Sequence, residues 1–169
     1  MVDGNAMTDS ALYETDIVAW ADRQVAELRR LEEAGITNAV DWANVIEEIE
    51  SVGRSERRTV ESLVRNAFVH LLKIIGDPGS LSTRAWTQEV ATFLRQASER
   101  ATSSIKESLA LEELWRDALK QARSELKLYD RTLPDDVPAG CPFDKGDILA
   151  GDADPGILIA RLRIPDSRP

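Results

Sequence analysis

The chain is short of the residues on which most metal and redox chemistry depends. Its 169 residues include one histidine, His70, and one cysteine, Cys141. A single thiol cannot build an internal disulfide framework, and one thiol with one imidazole cannot assemble a Cys/His zinc cluster. Sites that need two or three imidazoles from one chain are excluded as well. Aromatic residues make up only 5%. Long apolar runs are missing too: the most apolar stretch, residues 68–75, is interrupted by His70 and Lys73. A membrane-spanning helix needs roughly 18 such residues, so no membrane association is expected. Positive charge is outweighed, with 21 Lys and Arg against 30 Asp and Glu and a formal charge of -9. That balance disfavours nucleic acid and anionic lipid as partners. Residues 1–10 have neither a basic segment nor an apolar core of the export type, and are expected to form a flexible leader. The expected location is therefore cytoplasmic, with Cys141 a reduced thiol.

Helical periodicity is abundant, and hydrophobic residues reach 43%. The length suits one domain, or one domain with an appendage. A first helix is predicted from Thr15 or Asp16, either of which can cap it, with Ile17, Trp20, Ala21, Leu28 and Leu31 on one face and Gly35 at its end. After Asp41 a second helix carries Trp42, Val45, Ile46, Ile49 and Val52. Gly53 reads as a bend or a close-packing point, because the periodicity resumes through Val60, Leu63, Val64, Ala67, Leu71 and Ile75. Turn chemistry over 76–79 stops it. Two more helices follow, one from Ser82 or Thr83 to about Ala101 and one over roughly 109–129. From Asp130 onward proline and glycine accumulate, which rules out a long helix. Residues 156–164 fit either a short strand or a helix.

The expected fold is all-α: an antiparallel bundle of about four main helices with a Pro/Gly-rich irregular C-terminal tail. In domain terms this means a leader over 1–10, a bundle over 11–130 and a tail over 131–169 that packs on the bundle or on a partner subunit. Trp20, Trp42, Trp86 and Trp115 fall one per helix, each within an apolar stripe, so core packing is the expected role of all four.

Four stretches carry a family resemblance: Leu12–Asp16 continuing through Trp20-Ala21 to Leu28-Arg29, the run Asp41–Arg58, His70–Lys73 with Trp86, and Trp115–Ala118 with Pro134 and Cys141–Phe143. Together they resemble a bacterial family known as domain of unknown function family twenty-nine, over roughly 11–150. Ile74 departs from the pattern, since an aromatic often follows the lysine there. The resemblance implies an all-α fold and transfers no catalytic role.

The best candidate for chemistry is a polar cluster of Glu47, Glu50, Arg54, Arg57 and His70. At helical spacing the first four fall on successive turns of one face, and Glu50–Arg54 and Glu61–Arg65 have the favourable order for ion pairs. One reading is a solvated or subunit-facing charge ladder. The other uses Glu47 and Glu50 as paired carboxylates for Mg²⁺ or acid–base work, with Arg54 or Arg57 holding phosphate. Two bundle chemistries test the second reading. A di-iron bundle needs two Glu-x-x-His elements, and the residue three before His70 is Ala67, so it fails. The all-α nucleoside-triphosphate pyrophosphatases are similar in size and acidity, but their second element, Glu-x-x-Asp, is not supplied: Glu113 and Asp117 stand four apart. His70 suits a hydrogen-bonded core or interface residue, and a catalytic use would need a carboxylate such as Glu89 or Glu47. Nothing near Cys141 would lower its pKa.

The incomplete catalytic set points to a non-enzymatic helical interaction module, a homodimer or a partner-binding subunit, with no cofactor. The alternative is a metal-assisted phosphate-ester or nucleotide hydrolase using Glu47 and Glu50.

Overall fold

A computed structural model describes residues 9–37 and 39–163. Every regular element among them is a helix: α1 Asp9–Thr15, α2 Ile17–Glu33, α3 Trp42–Gly76, α4 Thr83–Arg100, α5 Ser103–Ser108, α6 Leu111–Lys127, α7 Lys145–Leu149 and α8 Pro155–Arg163. None is long and apolar enough to cross a membrane. The chain divides into two compact units, Met1–Thr59 with Thr102–Ser108, and Val60–Ala101 with Leu109–Pro169. Helix α3 contributes its first part to one unit and its second part to the other.

In the first unit, helix already begins at Asp9, inside the segment expected to be a flexible leader; residues 1–8 lie outside the described residues. Asp16 separates α1 from α2 and caps α2, accepting a hydrogen bond from the Ala19 amide at 3.1 Å. Gly35, at φ +62°, turns the chain out of α2 after Ala34, as its lack of Cβ allows. Helix α3 runs unbroken through Gly53, and the glycine marks a packing point, one of the two expected readings. A Cβ there would meet the Ala21 Cβ at 3.6 Å. Arg29 reaches Glu50 and Asp22 reaches Arg57, so numbering falls on α2 as it rises on α3 and the two run antiparallel.

In the second unit, the later turns of α3 bury Val60, Val64, Ala67, Phe68, Leu71, Leu72 and Ile74. His70 opposes Glu89 and Lys73 opposes Trp86, which makes α4 antiparallel to this part of α3. Phe68 packs on Trp115 and Gly76 lies against Leu126, which makes α6 parallel to it. Phe68, Trp115 and Phe143 form an aromatic centre with ring separations of 5.3, 5.8 and 5.9 Å.

The tail is not irregular throughout. Asp144 and Asp147 form a reciprocal capping box at the start of α7, which is why so short a helix persists among glycines. Residues 155–163 are helix rather than strand: Pro155 stands at the first helical position, and Leu158 and Leu162, one turn apart, are the buried pair. Ile164 lies outside the described residues. The tryptophans also depart from expectation, since Trp115 alone is fully buried. Trp20 stacks edge-on against exposed Tyr13 at 4.9 Å, the Trp42 indole N–H donates to the Thr37 carbonyl at 3.1 Å, and Trp86 is covered by the Lys73 ammonium.

Candidate functional site

Spacing of three and four residues brings Glu47, Glu50 and Arg54 onto one face of α3, and the three side chains meet there. Arg54 spans both carboxylates, donating to Glu47 at 2.5 Å and to Glu50 at 3.2 Å. Glu50 also accepts from Arg29 of α2. Arg57 turns to Asp22 instead, at 2.7 Å. The sequence contained no pattern that would have named Arg29 or Asp22, because both belong to a different helix. Each such exposed pair contributes about 0.2–1 kcal/mol. The expected Glu61–Arg65 pair does not form within ion-pair distance. Arg54 and Arg29 together offset the charge of the two carboxylates where a cation would need it. Among the described residues no three His, Cys, Asp or Glu side chains converge to hold a metal ion.

On its other side, this part of α3 leaves a row of apolar residues outside the core. Val45 and Val52 are exposed at 39% and 38%, with Trp42 and Ile49 half-buried in the same row. Ile46 and Gly53 are buried on the adjoining face. The helix thus has two apolar rows, and its own unit covers one.

His70 belongs to the second unit and does not join the other four predicted residues. Its Nδ1 lies 3.0 Å from a Glu89 carboxylate oxygen, out of line for a hydrogen bond, and its ring tilts against Phe93. Burial holds its pKa below the usual 6.5; Lys73 pushes the same way, while Glu89 and Glu125 oppose. Glu89, rather than Glu47, is therefore the carboxylate partner. One turn further on, Lys73 pairs with Glu125 at 2.8 Å and sets its ammonium over the Trp86 ring at 4.7 Å. Burial alone would raise the Glu125 pKa, but hydrogen bonds from Lys73 and Gln121 outweigh it and hold the carboxylate ionised. Lys73, Trp86 and Glu125, with Asp77, Ser80, Ser82, Leu126 and Tyr129, line a cleft of about 240 Å³. Asp77 is paired with Arg131 at 3.2 Å. The sequence offered one clue to this cluster, a lysine inside an apolar run; Glu125 and Asp77 carried none.

Cys141 is half-buried, and burial pushes its thiol up to about 11. A thiol held in that form is a poor nucleophile.

These features define an all-α protein whose candidate charged residues mostly pair with one another. The chain belongs to the family described as Domain of unknown function DUF29, whose model matches residues 12–152. A crystal structure of an α-helical protein of unknown function from Rhodospirillum rubrum is similar over 89% of this chain and 96% of that one, with a TM-score of 0.81 and 26% identity. No curated protein matches the chain.

Proposed function

We propose that the protein is a non-enzymatic helical interaction module, and that the row Trp42, Val45, Ile49 and Val52 docks against the same row of a second copy. The carrying observation is that row, left outside the core beside the buried Ile46 and Gly53. Its spacing of three, four and three residues is that of helices packing side by side. A second copy suits it because the same apolar row on two chains can pack side by side, each covering the other. A twofold contact then uses one patch twice. The setting is the cytoplasm, where the single thiol stays reduced, and the net charge of -9 favours protein over nucleic acid as partner.

The hydrolase reading gains less support. Using Glu47 and Glu50 for a metal would require breaking both Arg54 pairs.

Sedimentation velocity on Val52→Asp tests the reading. The substitution is on an exposed position, so circular dichroism should be unchanged while association weakens at least tenfold. Sedimentation identical to the parent at every concentration would refute the role of the row.

A further inference from the structure

The second unit carries a second cleft, larger than the one beside Lys73, of about 440 Å³. It is created by the way α6 ends. Asp130 adopts φ +54°, and the Arg131 amide donates back to the Leu126 carbonyl at 3.1 Å. This left-handed turn sends the following residues back beside the last two turns of α6. A hydrogen bond from the Val137 amide to the Pro134 carbonyl closes a further turn. Leu133, Pro134 and Val137 line the cleft together with Arg123 and Lys127.

The charge in this cleft is opposite to that of the chain. Arg123 and Lys127 stand one turn apart on the same face of α6, and Arg131 follows them into the lining. Arg131 is partly satisfied by Asp77. Neither Arg123 nor Lys127 has an ion-pair partner among the described residues, although acidic residues outnumber basic ones by 30 to 21. Asp135 at the lining is the one carboxylate there.

From this arrangement we infer a binding site for a small organic phosphate. Arg123 and Lys127 supply two unspent charges for a dianionic head, the guanidinium in its fork geometry and the ammonium as a point charge. Leu133, Pro134 and Val137 receive a compact ring or apolar body, and Asp135 can accept a hydrogen bond from a hydroxyl on it. The volume lies in the range of small-molecule sites. This inference is independent of the self-association proposed above, since it uses other residues in the other unit.

Isothermal titration of the full chain with phenyl phosphate, inorganic phosphate and phenol is the test. Phenyl phosphate should bind at least tenfold more tightly than inorganic phosphate, and phenol should not bind. The double variant Arg123→Gln/Lys127→Gln should lose at least tenfold in affinity while retaining its circular dichroism. Lys120→Gln, on α6 but outside the cleft, should bind as the parent does. Amide chemical-shift changes should centre on residues 123–137. Absence of phenyl phosphate binding at millimolar concentration would overturn the inference. So would affinity unchanged in the double variant, equal loss in Lys120→Gln, or an adventitious ion only, seen as equal binding of both phosphates.

Discussion

The carboxylate of Asp16 accepts a hydrogen bond from the backbone amide of Ser104 at 2.9 Å, across 88 residues of sequence. The same side chain caps α2 through the Ala19 amide, so one residue ties the start of α2 to the start of α5. Burial alone would raise its pKa; the amides of Ser104 and Ala19, with the Thr102 and Ser104 hydroxyls, outweigh that and hold it below 3.8.

Asp16→Ala should therefore destabilise the protein by about 1–3 kcal/mol, from a lost cap and an unsatisfied amide. Because the folded pKa is depressed, this stabilisation is complete above the unfolded value and is lost as pH falls through the folded one. The gap between parent and variant, measured by urea unfolding, should hold from pH 7 to 5 and shrink below about 3.8. A gap that grows with acid would contradict this assignment.

Two glycines of α3 should respond oppositely to alanine. At Gly53 a Cβ meets Ala21 at an ordinary 3.6 Å, so Gly53→Ala should stabilise by up to about 1 kcal/mol through helix propensity. At Gly76 a Cβ would lie 2.5 Å from the Leu126 Cδ1, and Leu126 is itself buried. Gly76→Ala should cost about 1–3 kcal/mol. Thermal unfolding of the two variants checks both signs.

His70 predicts a second pH effect. Its folded pKa lies below 6.5, so the unfolded chain takes up a proton first and stability falls as pH drops below that value. Glu89, Glu125 and Lys73 are the charged groups that act on the imidazole. The loss between pH 7 and 5 should be smaller in His70→Gln than in the parent. Equal slopes would show that the imidazole is not held neutral.

Cys141 should react slowly with iodoacetamide at pH 8 in the folded protein, since its thiol stands near 11, and rapidly once unfolded. Equal rates in both states would contradict its burial.

Helix type and the main boundaries were legible because they follow from local periodicity and capping. Asp16, Gly35 and the turn after Gly76 each act within a few residues of themselves. Gly53 was readable only as a bend or a close-packing point, because what decides between them, the Ala21 side chain, is supplied by another helix. Leu158, Ala160 and Leu162 alternate as a strand would, yet proline at the first helical position and the one-turn separation of Leu158 and Leu162 prevail. The tryptophans misled for a related reason: an apolar stripe fixes which side of a helix a ring occupies, not whether anything covers it. At the candidate site, Glu47, Glu50 and Arg54 were readable as neighbours on one face. Arg29, Asp22 and Glu125 were beyond reach, because pairing across helices depends on packing that no single helix encodes; Glu89 was readable only as one of two carboxylates that could face His70.

Self-association through the exposed row on α3, as proposed, makes the mass in solution depend on concentration. Light scattering coupled to size exclusion, run from micromolar to hundreds of micromolar protein, tests it most directly. The mass should rise with concentration toward twice the 18.7 kDa of one chain, and a Val45→Asp/Val52→Asp variant should stay at one. A parent protein that remains at the single-chain mass throughout would contradict it.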